Sequence, residues 1–129
     1  KVSFSQAVDI TLKKSTTEVA CCFDQVEVKD SVIMLTGWGF LKGLDDKILK
    51  TYILLRQEEK VLIFSVIPRE RKDVTRAFSQ YQLRLDSTGF RARIPVALLK
   101  RGSYRVGLYL VKGQDRGVFY TVKTVTVGE

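Results

Sequence analysis

The chain has no histidine, only two cysteines, two prolines and one tryptophan in 129 residues. Without histidine it lacks the usual general base at neutral pH, the Ser–His and Cys–His nucleophile systems, and the commonest transition-metal ligand. The two cysteines, Cys21 and Cys22, are neighbours. Neighbours on a strand point to opposite faces, so one is expected inside and the other outside. A disulfide between them would be strained, and their spacing fits neither a zinc site nor a Cys-x-x-Cys redox motif. Also missing is any apolar run near the ~20 residues that cross a bilayer as a helix. The longest uncharged stretch, residues 31–41, is far shorter and carries Thr36, Gly37 and Gly39.

What is present suits one domain over residues 1–129. At 45% hydrophobic and 28% charged, the chain can bury a core without a metal or disulfide staple. It opens at Lys1 with neither an initiator Met nor a signal pattern, which reads as a part excised from a longer protein. The net charge of +8 is uneven. Residues 87–114 carry Arg91, Arg93, Lys100, Arg101, Arg105 and Lys112 with no acid among them. Such a local positive field favours anionic partners, although basic residues at outward strand positions also serve solubility. Nucleic acid is not expected, because neither a known motif nor stacking aromatics accompany the charge.

The 14 carboxylates offer no constellation. Asp45-Asp46 lies in a loop, but calcium needs more oxygen ligands at loop spacing, and no EF-hand pattern exists. Glu58-Glu59 falls at a predicted turn and reads as solvated. No acid pair stands out for glycoside hydrolysis. The glycines of Gly37-Trp38-Gly39 lie inside an apolar strand, not at the strand-to-helix junction that cradles phosphate. The expectation is a chain with no catalytic residue, no metal and no cofactor, and thus not an enzyme.

Short apolar alternations separated by turn residues predict strands over residues 7–13, 19–28, 32–41, 49–56, 61–67, 89–95, 104–112 and 117–127. Tight turns are expected at Lys29-Asp30, at residues 57–60 and at Gly113-Gln114-Asp115. Residues 73–78 read as a helical turn capped by Asp73, and residues 96–100 as a short turn stopped by Gly102. Trp38 is either a sugar-stacking platform or, on the favoured period-2 reading, a core residue sharing its face with Val32, Met34 and Phe40. Gly37 and Gly39, on the other face, permit close backbone approach or a bulge. Many short strands without a long helix predict an all-β, two-sheet antiparallel sandwich with one or two short helical turns. Leu98, Gly102 and Tyr104 resemble the tyrosine corner of immunoglobulin-like sandwiches.

Four pieces in order carry a wider resemblance: Gly37-Trp38-Gly39-Phe40, then Arg71-Lys72-Asp73-Val74-Thr75-Arg76-Ala77-Phe78, then Ser87-Thr88-Gly89-Phe90, then residues 99–106. They resemble the small β-sandwich domains appended to bacterial glycosyltransferases and membrane proteins of cell-envelope polysaccharide synthesis. The match spans roughly residues 31–112, with Gly39 standing where that pattern has Ala. The resemblance implies an accessory, envelope-associated or extracytoplasmic domain, and it brings no catalytic residues.

The functional expectation is therefore a non-catalytic binding or accessory module for a glycan or an anionic polymer. Its alternative is a structural domain that packs against another domain of the same chain or its own copy. Candidate contacts are Arg69, Arg71, Lys72 and Arg76 in the polar loop, where Arg forks suit phosphate and carboxylate. The competing reading of that loop is a local Asp73–Arg pair. Arg91, Arg93 and Arg105 are expected together on an exposed sheet face.

Overall fold

A computed structural model describes residues 15–128. The strand predicted over residues 7–13 lies outside the described residues. The elements run β1 (Val19–Lys29), β2 (Val32–Leu41), β3 (Lys50–Gln57), β4 (Lys60–Ser65), β5 (Ile67–Arg69), α1 (Lys72–Ala77), β6 (Gly89–Pro95), β7 (Gly102–Lys112) and β8 (Asp115–Val127). Single 3-10 turns fall at Ser79–Tyr81 and Val96–Leu98.

Two antiparallel four-stranded sheets face each other, ordered β1-β2-β6-β5 and β4-β3-β7-β8. With the strands lettered in chain order, the sheets become A-B-E-D and C′-C-F-G. That is the immunoglobulin-like arrangement, and the predicted two-sheet sandwich is the fold of this chain. Its corner is present too. The Tyr104 hydroxyl, near the start of β7, donates to the Lys100 carbonyl oxygen at 2.7 Å and fixes the crossover from β6.

The hairpins follow from local chemistry. Asp30 and Ser31 have φ of 55° and 63°, the left-handed pair that matches strand twist in a two-residue turn, and Lys29 pairs with Val32 across it. The single strand expected over residues 61–67 is instead two. β4 ends at Ser65, and the chain then crosses from the second sheet to the first to form β5. Pro68 is tolerated there because β5 is an edge strand. In α1, Asp73 is not the cap. Arg71 occupies that position, and the Asp73 carboxylate accepts from the Arg71 guanidinium instead.

The main core lies between the sheets and draws on Ile33, Leu35 and Leu41 of β2, Phe90 and Ile94 of β6, and Val106, Leu108 and Leu110 of β7. Burying each such side chain contributes roughly 1.5–3 kcal/mol before entropy is charged. Gly39 belongs to this inner face. A Cβ there would come within 2.5 Å of Leu108 Cδ2, so the residue at 39 and the leucine opposite fit each other. Cys21 packs against the same core while Cys22 is exposed.

Trp38 does share its face with Val32, Met34 and Phe40, but that face points away from the inter-sheet core. It is half-buried under the α1 segment, in a satellite cluster with Phe40, Val74, Leu85 and Phe78. The Phe78 ring meets it edge-on at 5.5 Å.

Candidate binding interface

The basic residues predicted from sequence separate into three places. Arg71 is engaged: it holds Asp24 at 2.8 Å and Asp73 at 2.9 Å. Lys72 lies 4.0 Å from Glu70, and Arg69 and Arg76 are exposed near it. Arg91 and Arg93 lie on the outer face of the first sheet, in register with Thr36 and Met34. The Arg91 Nε is enclosed there with no hydrogen-bond partner among the described residues. Arg105 lies on the outer face of the second sheet. The expected single face holding Arg91, Arg93 and Arg105 therefore does not exist. β6 pairs with β2 whereas β7 pairs with β3, which sends their outward residues to opposite sides of the sandwich.

Arg105 has a different companion. In the β3–β7 ladder it is directly opposite Arg56. Both arginines are exposed, and among the described residues neither is in an ion pair with a carboxylate. Like charges directly opposite on a sheet cost folding energy, by up to about 1 kcal/mol. On the other side of β7, Arg105 is opposite Thr124 of β8.

The next row along the face supports this pair. Tyr120 of β8 is opposite Gly107, and its ring lies where a side chain at 107 would be: a Cβ would meet Tyr120 Cδ1 at 2.6 Å. The Arg56 guanidinium carbon sits 5.5 Å from the centre of that ring. Its Nε also donates to the Glu58 carbonyl oxygen at 2.8 Å. Cation–π contact and hydrogen bond together hold the fork in place. Burial raises the Tyr120 hydroxyl above its ordinary pKa, partly offset by the Arg56 charge, so the phenol stays neutral at physiological pH.

A bulge brings Tyr120 and Thr124 into successive rows of that face, opposite Gly107 and Arg105. The β7–β8 register shifts between Arg105 and Gly107, placing residues 121–123 of β8 against Val106 alone. The Thr121 hydroxyl holds the bulge, donating to the Val106 carbonyl at 3.2 Å and accepting from the Lys123 N–H at 2.9 Å. Such bulges re-aim side chains beside sites. The result is a groove of about 470 Å³ lined by Arg56, Glu58, Ser103, Arg105, Tyr120 and Thr124. That volume falls within the usual range for small-ligand sites.

Elsewhere the acids are scattered. Asp45 accepts from Lys112 Nζ at 2.7 Å, while Asp46 accepts from the Ser87 N–H at 2.7 Å. The two carboxylates thus serve different partners. Among the described residues no group of three or more Cys, Asp and Glu side chains is placed to hold a metal ion. No helix of the described residues is long and apolar enough to cross a membrane. Comparison with protein-family models, curated proteins and solved structures finds no match to this chain.

Arg56, Tyr120 and Thr124 were not singled out by sequence, and Glu58 was read only as a solvated turn residue. Arg56 is visible there only as the last residue of a predicted strand, and its opposition to Arg105 depends on register.

Proposed function

We propose that this chain is a non-catalytic binding module of a bacterial envelope-associated protein, and that it recognises an anionic polymer through the Arg56–Arg105 groove. The observation that carries the reading is the cross-strand pair itself. Two arginines, of which Arg56 is held by Tyr120 and the Glu58 carbonyl, stand directly opposite on neighbouring strands with no ion-paired carboxylate among the described residues, at a cost that an anion between them would relieve. The resemblance to envelope-polysaccharide accessory domains supports the same direction.

Calorimetry with an acidic polysaccharide, a polyphosphate and neutral dextran tests it. The chain is expected to bind the polyanions and not dextran, with affinity falling as salt rises. Replacing both arginines, R56A/R105A, is expected to weaken polyanion binding tenfold or more while leaving the unfolding midpoint unchanged or higher. Undiminished binding by that variant overturns the site. As a comparison, R91A/R93A on the opposite side of the sandwich is expected to retain most of the affinity.

A further inference from the structure

The groove is not uniformly basic. Glu58 stands at its lip, exposed, and among the described residues its carboxylate pairs with no cation; its backbone carbonyl, not its side chain, holds Arg56. Its position is also an unusual place for glutamate. Glu58 occupies the two-residue turn between β3 and β4, where Gln57 pairs with Lys60, and its φ is 56°. Gly, Asn or Asp is the usual occupant of such a left-handed turn position, and a larger side chain there costs on the order of 1 kcal/mol. A site built only to attract negative charge would gain nothing from that residue.

The remaining lining is hydroxylic. Ser103 and Thr124 flank Arg105 on β7 and β8, and the Ser103 hydroxyl lies 3.1 Å from that of Thr126. Two cations, one free carboxylate and a row of hydroxyls form a mixed set. A sulfate, or an internal unit of a polyphosphate, has no donor for the acid. A polyhydroxylated ring bearing one acid group satisfies every member.

Resting on the proposed binding role of this groove, we infer that its ligand is an acidic saccharide unit of the uronate type. The sugar carboxylate lies in the Arg56–Arg105 fork, and ring hydroxyls donate to the Glu58 carboxylate and exchange hydrogen bonds with Ser103 and Thr124. Specificity then comes from Glu58, which rewards a ligand carrying hydroxyls and repels one that is only anionic.

The test compares an oligogalacturonate with an inorganic polyphosphate, each titrated into wild type, E58G, E58Q and R56A/R105A. E58G suits the left-handed backbone and keeps the carbonyl that holds Arg56, so it is expected to fold at least as stably as wild type. It is expected to bind oligogalacturonate fivefold or more weakly and polyphosphate more tightly. E58Q retains an acceptor without charge, and is expected to shift both affinities the same ways by less. If E58G strengthens both ligands alike, Glu58 is only a repelling charge and the saccharide assignment is overturned, whereas loss of both ligands in R56A/R105A would still uphold the groove. If R56A/R105A binds both ligands as wild type does, the groove itself is overturned.

Discussion

Arg71 ties β1 to α1. One terminal nitrogen of its guanidinium donates to Asp24 at 2.8 Å, while Nε and the other terminal nitrogen take both oxygens of Asp73 at 2.9 Å. A residue offered by sequence as an anion-binding contact is thus already occupied by two carboxylates of its own chain. It fastens the segment that covers Trp38 to the edge of the first sheet.

Arg71→Ala is therefore expected to loosen α1 and to destabilise the fold by about 1–2 kcal/mol, discounted for partial exposure. The hydrogen bonds from Arg71 hold the Asp73 carboxyl below its ordinary pKa. A group whose folded pKa is depressed lends stability above its unfolded value, and that stability disappears as pH falls through the folded value. Urea midpoints measured from neutral pH down to below about pH 4 should fall more steeply for wild type than for R71A. Parallel acid limbs would show that Asp73 gains nothing from Arg71.

Tyr104→Phe isolates the corner. It removes one hydrogen bond to the Lys100 carbonyl and leaves the buried ring in place. A loss of about 1–1.5 kcal/mol is expected, seen as a lower denaturation midpoint with an unchanged slope. Burial raises the Tyr104 pKa above its ordinary value. Its stabilisation is thus complete below about pH 10 and fades as pH climbs through the folded value, a decline that Y104F should lack.

Gly107→Ala probes the support beneath Arg56. The new methyl would meet two carbons of the Tyr120 ring, at 2.6 and 2.8 Å, and the Phe119 carbonyl oxygen at 3.1 Å. The ring must tip away, so Arg56 loses its platform. Polyanion affinity should drop about threefold to tenfold, alongside a stability cost of about 1–3 kcal/mol. Trp38, packed on the opposite sheet, should keep its emission spectrum and so report that the fold survives. Unaltered affinity would mean that the ring does not position Arg56.

These cases also mark how far the sequence could be read. β2 and β6 were legible to the residue, because turn or charged residues bound the apolar run of β2 and Phe90, Ala92 and Ile94 of β6 alternate cleanly with Arg91 and Arg93. Tyr104 and its corner were legible because a local turn and one aromatic specify them. The break between β4 and β5 was hidden, since residues 61–67 are apolar apart from Ser65, and neither Gly nor Pro marks Val66. The direction of Trp38 was hidden for a related reason. Both faces of β2 carry apolar residues, one covered by the other sheet and one by α1, so periodicity alone could not say which was the main core. The groove was least legible of all. Without the bulge at residues 121–123, Arg105 would be opposite Val122, which is 92% exposed, rather than Thr124. No local pattern announces that insertion.

The adjacent cysteines have a practical consequence. Burial, reinforced by the neighbouring thiol, pushes the Cys21 pKa up to about 11, so only about one molecule in ten thousand carries that thiolate at neutral pH. Cys22 is exposed on the outer face of the first sheet, in register with Trp38. A maleimide reagent should therefore couple to the native chain at one atom, on the side of the sandwich opposite Arg56 and Arg105. Tethered through that sulfur, the protein would sit on a sensor chip with its groove turned toward the solution, with no engineered handle required.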